Sequence, residues 1–223
     1  MKYIVTGTSS GLGFEIAKRL VDLGSVIGLS RTIGKASILL EKKNFEWFCI
    51  DFSSPFEQIS PVIESSLMPV LSSEEYTLVI NAAQFYLGES RLTSLETQQL
   101  FQTNLFSVMS LVNRMIGPKL KRVLFINSIS GLIGQSGQHE YSASKHALKG
   151  FSSSLAKQAK DMHFDVMSVN PGGIRTELWD GNAKIATDDF IEPDNLADIL
   201  VSLLKVKQRI FVDSFVILPP SDV

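Results

Sequence analysis

A tyrosine and a lysine stand one helical turn apart in the sequence YSASK, which begins at Tyr141 and ends at Lys145. Side chains four residues apart share one face of a helix, so the phenol and the ammonium are predicted to be neighbours. Free tyrosine has a pKa of about 10, and a nearby cation favours the phenolate. The pair could therefore transfer a proton at neutral pH, although a Tyr and a Lys at this spacing are more often surface residues without a catalytic role.

Ser128 stands thirteen residues before Tyr141, at the end of an apolar run that predicts a strand. A hydroxyl at that place could orient and polarise the carbonyl group of a substrate. Proton transfer combined with carbonyl polarisation is the chemistry that carbonyl reduction requires.

Three glycines, Gly7, Gly11 and Gly13, mark the junction between a predicted strand and a predicted helix. Glycine permits positive φ and lets the backbone approach a phosphate closely, and the helix N-terminus offers amide donors to an anion. A plain strand-to-helix turn is the alternative, but the strand before and the helix after favour nucleotide binding.

The residues after the second and third predicted strands bear on the choice of nucleotide. No acid follows the second strand, where a carboxylate usually binds the ribose 2'-hydroxyl of NAD. Arg31 stands there instead and suits the 2'-phosphate of NADP, unless it is an ordinary solvated loop residue. Asp51 follows the third strand, where it could accept a hydrogen bond from the adenine amino group or cap the next turn.

Short runs rich in Val and Ile alternate with stretches of helical spacing, an order that predicts an α/β fold with a parallel sheet. Helices are predicted over residues 12–23 and 147–159 and after Pro193, with a polar loop at 135–140. The seven predicted strands are residues 3–6, 26–30, 47–50, 77–81, 122–127, 165–170 and 210–217.

With 223 residues and 44% hydrophobic content, the chain has enough apolar material for one core, so we expect a single domain over residues 1–223. A formal net charge of -2 argues against nucleic acid or anionic lipid as partners. The single cysteine, Cys49, excludes an internal disulfide and is expected to be buried. No metal site is predicted, because the three histidines lack the spacing of paired ligands.

Residues 1–7 carry no charged leader or cleavage site, and no apolar run reaches the length of a membrane span. The sequence therefore predicts a protein that is not exported, has no membrane partner and stays in the cytoplasm.

The sequence resembles the short-chain dehydrogenase/reductase family in three motifs that occur in the expected order. They are TGxxxGxG from Thr6 to Gly13, a serine with YxxxK at Ser128, Tyr141 and Lys145, and PGxxxT from Pro171 to Thr176. The resemblance implies a Rossmann-type doubly wound fold, with a seven-stranded, mostly parallel sheet flanked by helices.

The resemblance also implies roles for individual residues. Tyr141 would be the general acid in reduction, and Lys145 would lower its pKa and hold the nicotinamide ribose. Ser128 would bind the substrate oxygen, and Asn104 would support a water and proton relay to the lysine. From turn geometry and resemblance together, the cofactor contacts expected are Gly7, Ser9, Ser10, Gly11, Leu12, Gly13, Arg31, Asp51, Asn81, Ala82, Tyr141, Lys145, Pro171, Gly172, Ile174 and Thr176.

The sequence departs from the family pattern at two places. Ala82 and Gln84 stand in NAAQ, which starts at Asn81, where the family commonly has NNAG. Ala82 lacks an amide that often braces the central sheet, and Gln84 replaces a glycine near the cofactor. Ser10 occupies a place where many NADP-preferring members have a basic residue, so Arg31 is expected to act largely alone.

These observations predict an oxidoreductase that transfers a hydride between NADP(H) and a small carbonyl or alcohol substrate, with carbonyl reduction favoured and NAD(H) as the less favoured cofactor. The alternative is a redox sensor that binds NADP(H) and regulates a partner without turnover, and a purely structural α/β protein is a third possibility. The intact set of four catalytic residues argues against the sensor. The resemblance also suggests a homodimer or homotetramer, formed through the helices that carry Asn104 and Tyr141.

Substrate contacts are expected from loops at the carboxyl ends of the strands, at residues 84–89, 130–140 and 177–191. A lid is predicted within residues 171–193, which include Gly181, Asn182, Asp188 and Asp189. The residues expected to line an apolar pocket, or alternatively to fill gaps between helices, are Phe85, Tyr86, Leu132, Ile133, Leu178 and Trp179.

Overall fold

The structure, a computed structural model, describes residues 1–86, 91–179 and 187–220. Within these residues, one seven-stranded sheet has the order β3-β2-β1-β4-β5-β6-β7, and all six strand pairings are parallel. Each predicted strand is confirmed to within two residues at either end. The strands are β1 (Lys2–Thr6), β2 (Ser25–Ser30), β3 (Phe45–Cys49), β4 (Tyr76–Ile80), β5 (Leu120–Ile126), β6 (Asp165–Pro171) and β7 (Val212–Ile217).

Helices connect the strands and cover both faces of the sheet. They are α1 (Gly11–Leu20), α2 (Phe56–Val62), α3 (Met68–Leu71), α4 (Ser94–Phe101), α5 (Ser107–Met115), α6 (His139–Met162) and α7 (Pro193–Lys205). Short π-helical turns join α2 to α3 (Ile63–Leu67) and α4 to α5 (Gln102–Phe106), and 3-10 turns lie at Gly34–Glu41, Ile129–Gly131 and Glu177–Trp179.

The three predicted helices correspond to α1, α6 and α7, but the predicted loop at 135–140 is too long. Helix α6 already begins at His139 and includes Glu140 in its first turn. An acidic residue there interacts favourably with the helix N-terminus, so polarity alone does not indicate a loop.

The core lies on both faces of the sheet, and the central strands alternate between them. In β5, Val123 and Phe125 pack on one face, against α5 and α6, while Leu124 and Ile126 pack on the other, against α1 and α7. A strand buried on both sides is the usual component of a parallel sheet between two helical layers. This three-layer arrangement explains why the central strands appear in the sequence as continuous apolar runs.

The strand order reverses between β1 and β4, so the chain leaves these neighbouring strands toward opposite faces of the sheet. Such a reversal opens a crevice at the carboxyl ends of the strands. The turn at Gly7, the residues after β4 and the serine after β5 all reach this edge. The fold thereby brings together segments that lie far apart in sequence.

Cys49 corrects one expectation, because its side chain is exposed and not buried. It lies on β3, one of the two edge strands of the sheet, and its thiol donates a hydrogen bond to the carbonyl oxygen of Arg31 at 3.2 Å. An apolar run has the same appearance on an edge strand as on a central one, although only the central strand is covered on both faces.

Among the described residues, no helix combines the length and the apolar character needed to cross a membrane.

Candidate active site

The turn between β1 and α1 forms a cradle that only glycine can build. Gly7 and Gly11 have φ of +75° and +52°, in the region that side chains disfavour. A Cβ on Gly13 would stand 2.1 Å from the carbonyl oxygen of Gly7 and 2.4 Å from Nδ2 of Asn81. The first turn of α1 therefore packs directly against β1 and the residue after β4, with its backbone amides at the crevice.

Thr6 and Asn81 hold this turn against β4. The Thr6 hydroxyl accepts hydrogen bonds from the backbone N–H groups of Asn81 and Ala82, both at 2.9 Å. Asn81 Nδ2 donates to the carbonyl oxygens of Thr6 at 3.0 Å and Gly7 at 3.3 Å. Ala82 has no side-chain amide to brace the central sheet, and the Thr6 hydroxyl supplies these hydrogen bonds instead. The sequence alone did not indicate this role of Thr6.

A cavity of about 670 Å³ extends from the glycine turn to the residues after β5 and β6. Of the predicted site residues, Gly13 and Asn104 are not in its lining and support the wall from behind. The predicted residues that line it are Gly7, Ser9, Ser10, Gly11, Leu12, Arg31, Asp51, Asn81, Ala82, Ser128, Tyr141, Lys145, Pro171, Gly172, Ile174 and Thr176.

Tyr141, Ser128 and Lys145 form one group in the cavity wall. Ser128 acts as a hydrogen-bond partner that lowers the pKa of the Tyr141 phenol, and Ser128 Oγ accepts from the N–H of Ser130 at 3.1 Å. Lys145 Nζ lies 5.7 Å from the centroid of the Tyr141 ring and donates to the carbonyl oxygen of Ile126 at 3.5 Å. The one-turn spacing thus places the phenol and the amine side by side, as predicted.

The pKa of the phenol moves opposite to the expected direction. Burial raises the pKa of Tyr141 to about 12, and the hydrogen bond with Ser128 offsets only part of this rise. Burial likewise lowers the pKa of Lys145 to about 8. The Tyr141 pKa is therefore raised and not lowered in this arrangement, since desolvation outweighs the hydrogen bond with Ser128. Tyr141 is protonated at neutral pH, the state that a proton donor needs.

Asn104 lies in the π-helical turn between α4 and α5 and is 1% exposed. Its side chain accepts from the N–H of Gln84 at 2.7 Å and donates to the carbonyl oxygen of Gln84 at 2.9 Å. Asn104 Nδ2 also donates to Ser144 Oγ at 3.1 Å, next to Lys145. In this structure Asn104 fixes the backbone after β4 and links it to α6. The implied proton relay stays a prediction.

Gln84 replaces the usual glycine and takes part in a chain of hydrogen bonds. Its Oε1 accepts from Thr103 Oγ1 at 3.1 Å, and its Nε2 donates to the Tyr86 hydroxyl at 2.5 Å. The Tyr86 hydroxyl in turn donates to Gln99 Oε1 at 3.3 Å. The larger side chain is accommodated by polar partners along the helix, so the backbone after β4 keeps its place at the crevice.

Arg31 is exposed at the end of β2, where a guanidinium could meet a phosphate. The neighbouring Ser30 hydroxyl is already engaged, since it donates to the carbonyl oxygen of Thr32 at 2.7 Å and accepts from Trp47 Nε1 at 2.9 Å. Asp51 Oδ1 accepts from the N–H and hydroxyl of Ser53 at 2.9 Å and 2.7 Å. Asp51 thus caps its turn and also lines the cavity.

The segment after β6 crosses the mouth of the glycine turn. The N–H of Gly172 donates to the carbonyl oxygen of Ile217 at 2.8 Å, which ties the segment to β7. A Cβ on Gly173 would stand 2.7 Å from the ring of Phe190, and a Cβ on Gly11 would stand 3.0 Å from Cγ2 of Thr176. Thr176 therefore packs against the glycine turn itself.

Aromatic side chains form the wall beside Tyr141. Phe85 meets the Tyr141 ring edge to face at 4.7 Å between centroids and lies 5.4 Å from Trp179. Trp179 contacts Phe190 at 5.1 Å, and its Nε1 donates to the carbonyl oxygen of Ile174 at 2.7 Å. Of the six predicted pocket residues, Phe85, Leu178 and Trp179 line the cavity, and Tyr86, Leu132 and Ile133 are not in its lining.

Gln135, Gln138 and Phe190 also line the cavity; they lie within the predicted substrate loops 130–140 and 177–191, although none of them was singled out individually. Phe190 lies within the predicted lid, but no sequence pattern indicated that its side chain reaches the cavity. Its ring lies close to Gly173, so it joins two separate segments. The central part of the predicted lid, with Gly181 and Asn182, lies outside the described residues, as do residues 87–89 of the first predicted substrate loop.

The cavity fits a dinucleotide. The glycines leave room for a pyrophosphate to approach the N-terminus of α1, whose amides can bind it. Arg31 and Asp51 line the cavity where the adenosine end of such a molecule would lie. Tyr141 and Lys145 lie further along the same cavity, where the reacting end of such a molecule could meet a proton donor.

Residues 2–185 match the family model described as short chain dehydrogenase. The chain belongs to the short-chain dehydrogenase family. This confirms the resemblance drawn from the three motifs, together with oxidoreduction by hydride transfer and the nicotinamide cofactor of the family, in NAD or NADP form.

Two curated relatives show what this family member is similar to. The chain is 32% identical over 186 residues to a 3-oxoacyl-(acyl-carrier-protein) reductase of Buchnera aphidicola, with 78% of this chain and 74% of that protein covered. It is 28% identical over 216 residues to a diacetyl reductase, (S)-acetoin forming, of Staphylococcus epidermidis, with 91% and 83% covered.

Solved structures of the family share the fold. A 4-hydroxyisoleucine dehydrogenase complexed with NADH superposes with a TM-score of 0.85 at 23% identity, covering 98% of this chain and 97% of that one. An actinorhodin polyketide ketoreductase with NADPH superposes with a TM-score of 0.80 at 22% identity, covering 98% and 95%. The Rossmann-type arrangement predicted from the sequence is thereby confirmed.

Proposed function

We propose that this protein is an NADP(H)-dependent carbonyl reductase formed by one domain over residues 1–223. The observation that carries the proposal is the Ser128–Tyr141–Lys145 group in the wall of the cavity that begins at the glycine turn. NADPH, when bound, supplies the hydride. The residues that would hold it are those of the glycine turn, Arg31 and the segment after β6.

Tyr141 acts as the proton donor to the carbonyl oxygen. With a pKa of about 12 the phenol keeps its proton at neutral pH, yet it is far more acidic than an alcohol, so transfer to a forming alkoxide is downhill. The Ser128 hydroxyl, which lowers the Tyr141 pKa as a hydrogen-bond partner, orients the same oxygen. Lys145, with a pKa of about 8, is mostly protonated at pH 7 and stabilises the phenolate that remains.

The preference for NADP(H) rests on charge at the end of β2. Arg31 is exposed there, and its guanidinium matches a phosphate in charge and geometry. The substrate proposed is a small carbonyl compound, since aromatic side chains close the cavity beside Tyr141. The reductases to which the chain is similar act on oxoacyl and diketone groups, as their names state.

Turnover assays with NADPH and NADH on a panel of aldehydes, ketones, diketones and 3-oxoacyl thioesters test the proposal. We expect oxidation of NADPH with at least one carbonyl class, and slower turnover with NADH. Tight NADPH binding without turnover of any compound would favour the sensor, and turnover with NADH alone would contradict the cofactor assignment.

We also propose a cytoplasmic location and a dimer or tetramer assembled through α4, α5 and α6. The exposed side chains of Leu95 on α4 and Phe106 beside α5 support such a contact. Size-exclusion chromatography with light scattering measures the assembly directly.

A further inference from the structure

The carboxylate of Glu177 lies at the amino end of α1, on the glycine turn. It pairs with the ammonium of Lys35, and hydrogen bonds from Lys35, from its own backbone N–H and, to the smallest extent, from the N–H of Gly11 hold the pKa of Glu177 below its usual range. A Cβ on Gly11 would stand 3.8 Å from Glu177 Oε2. An acidic side chain thus occupies an amide of the cradle that the proposed function assigns to phosphate.

Helix α1 has no acidic residue in its own first turn. The N–H groups at a helix start lack partners within the helix and carry partial positive charge, which attracts an anion. Glu177 supplies that anion from the segment after β6. A carboxylate and a phosphate oxygen are both anionic acceptors, so they compete for the same Gly11 N–H.

Lys35 is held beside the turn by its backbone. Its N–H donates to the carbonyl oxygen of Ser9 at 2.7 Å. Gly34, with φ of +51°, packs so closely that a Cβ there would lie 2.3 Å from the same oxygen. The Lys35 side chain is 60% exposed and that of Glu177 is 39% exposed. Because ion pairs in this range of exposure are weak, Lys35 can exchange its partner readily.

We propose that Glu177 occupies the phosphate-binding amide of the turn in the protein without cofactor, and that a dinucleotide displaces it and takes Lys35 as a second phosphate-binding cation. The proposal rests on the proposed function, since it takes the turn to be where phosphates bind. It also gives Arg31 a partner in binding phosphate, although the sequence had suggested that Arg31 acts largely alone.

The exchange extends to the substrate wall. Glu177 begins the 3-10 turn that ends at Trp179, which contacts Phe85 and Phe190. Phe85 contacts the ring of Tyr141. Displacement of Glu177 therefore moves the aromatic side chains beside the proton donor, so the cofactor prepares the substrate side of the cavity.

Calorimetric titration of the full chain with NADPH tests the exchange. Glu177→Gln removes the competing charge, and we expect the Kd for NADPH to fall about fivefold. Lys35→Met should raise the Kd because it removes a phosphate contact. In the wild type this loss is partly offset, because removing Lys35 also removes the pair that holds Glu177 on the turn. In the Glu177→Gln background there is no such offset, so the Kd should rise by a larger factor. Glu74→Gln and Lys160→Met are matched controls on exposed residues away from the cavity and should leave the Kd unchanged.

Fluorescence supplies a second measurement on protein that keeps Glu177. In a Trp47→Phe background Trp179 is the remaining indole, and inorganic pyrophosphate alone should shift its emission as Glu177 leaves the turn. An unchanged or higher Kd in Glu177→Gln would overturn the exchange, as would constant Trp179 emission at pyrophosphate concentrations that compete with NADPH. If neither the wild type nor any variant bound NADPH or NADH, the proposed function itself would fall, and the exchange with it.

Discussion

Replacing Gly13 with alanine should destabilise the protein and weaken cofactor binding, because a methyl group has no room between α1 and β1. The added carbon would stand 2.1 Å from the carbonyl oxygen of Gly7 and 2.4 Å from Nδ2 of Asn81. Carbon and oxygen normally stay about 3.3 Å apart even in close contacts, so the helix must move by about 1.2 Å. The nearest atom belongs to the backbone, so no side-chain rotation relieves the overlap.

The expected magnitude combines two opposing terms. Overpacking of this kind costs about 3 kcal/mol, at the upper end of its usual range, because backbone must shift. Alanine regains about 1 kcal/mol over glycine inside a helix. The free energy of unfolding should therefore fall by about 2 kcal/mol, which lowers Tm by about 4–8 °C in a chain of this size. Because the Gly7 turn moves with the helix, the Kd for NADPH should rise at least about tenfold.

Urea denaturation and calorimetric titration measure the two effects. Gly150→Ala is the matched control, since Gly150 is exposed within α6 and an added Cβ would meet nothing within 4 Å. That variant should gain about 0.5–1 kcal/mol and bind NADPH as the wild type does. If Gly13→Ala unfolded at wild-type urea concentrations and bound NADPH normally, the close packing of the turn would be refuted.

Three further predictions follow from the site. Arg31→Ala should weaken NADPH binding about tenfold and NADH binding less than twofold, because only NADPH carries the 2'-phosphate; equal losses in titrations of both cofactors would contradict this. Lys145→Met should abolish turnover yet stabilise the protein at pH 7 by up to about 3 kcal/mol, because burial lowers the Lys145 pKa to about 8 from 10.5. Between pH 8 and 10.5 the unfolded state binds more protons than the folded state, so the wild type gains stability as pH rises. The stability difference between the variant and the wild type, measured by denaturation, should therefore shrink over this range. A variant less stable than the wild type at pH 7 would contradict the lowered pKa of Lys145. Asn104→Ala removes the side-chain partners of Gln84 and Ser144 and should lower both stability, by about 2 kcal/mol, and kcat; wild-type stability in thermal melts would refute its positioning role.

The fold and the composition of the site were largely predictable from sequence because their signals are local. Apolar runs marked the strands, and glycine spacing marked the turn on which α1 begins. The YxxxK spacing placed Tyr141 and Lys145 on one face of α6, and strand ends brought Ser128 to the same edge.

The errors and omissions concern contacts between distant segments. Glu177 meets Lys35, and Phe190 packs on Gly173, with nothing in either local sequence to indicate the partner. Cys49 was expected to be buried because an edge strand and a central strand share the same apolar pattern. The Tyr141 pKa was predicted from one neighbouring charge, whereas the tertiary fold adds desolvation, which acts in the opposite direction and prevails.

Single-turnover oxidation of NADPH by Tyr141→Phe, with whichever carbonyl compound the wild type reduces, tests the central claim most directly. The variant removes only the hydroxyl and keeps the ring that contacts Phe85 at 4.7 Å. We predict that NADPH binds within twofold of the wild-type Kd while hydride transfer slows by about 10²- to 10⁴-fold, because the proton donor is gone. Hydride transfer at the wild-type rate would contradict the assignment of Tyr141 as the general acid.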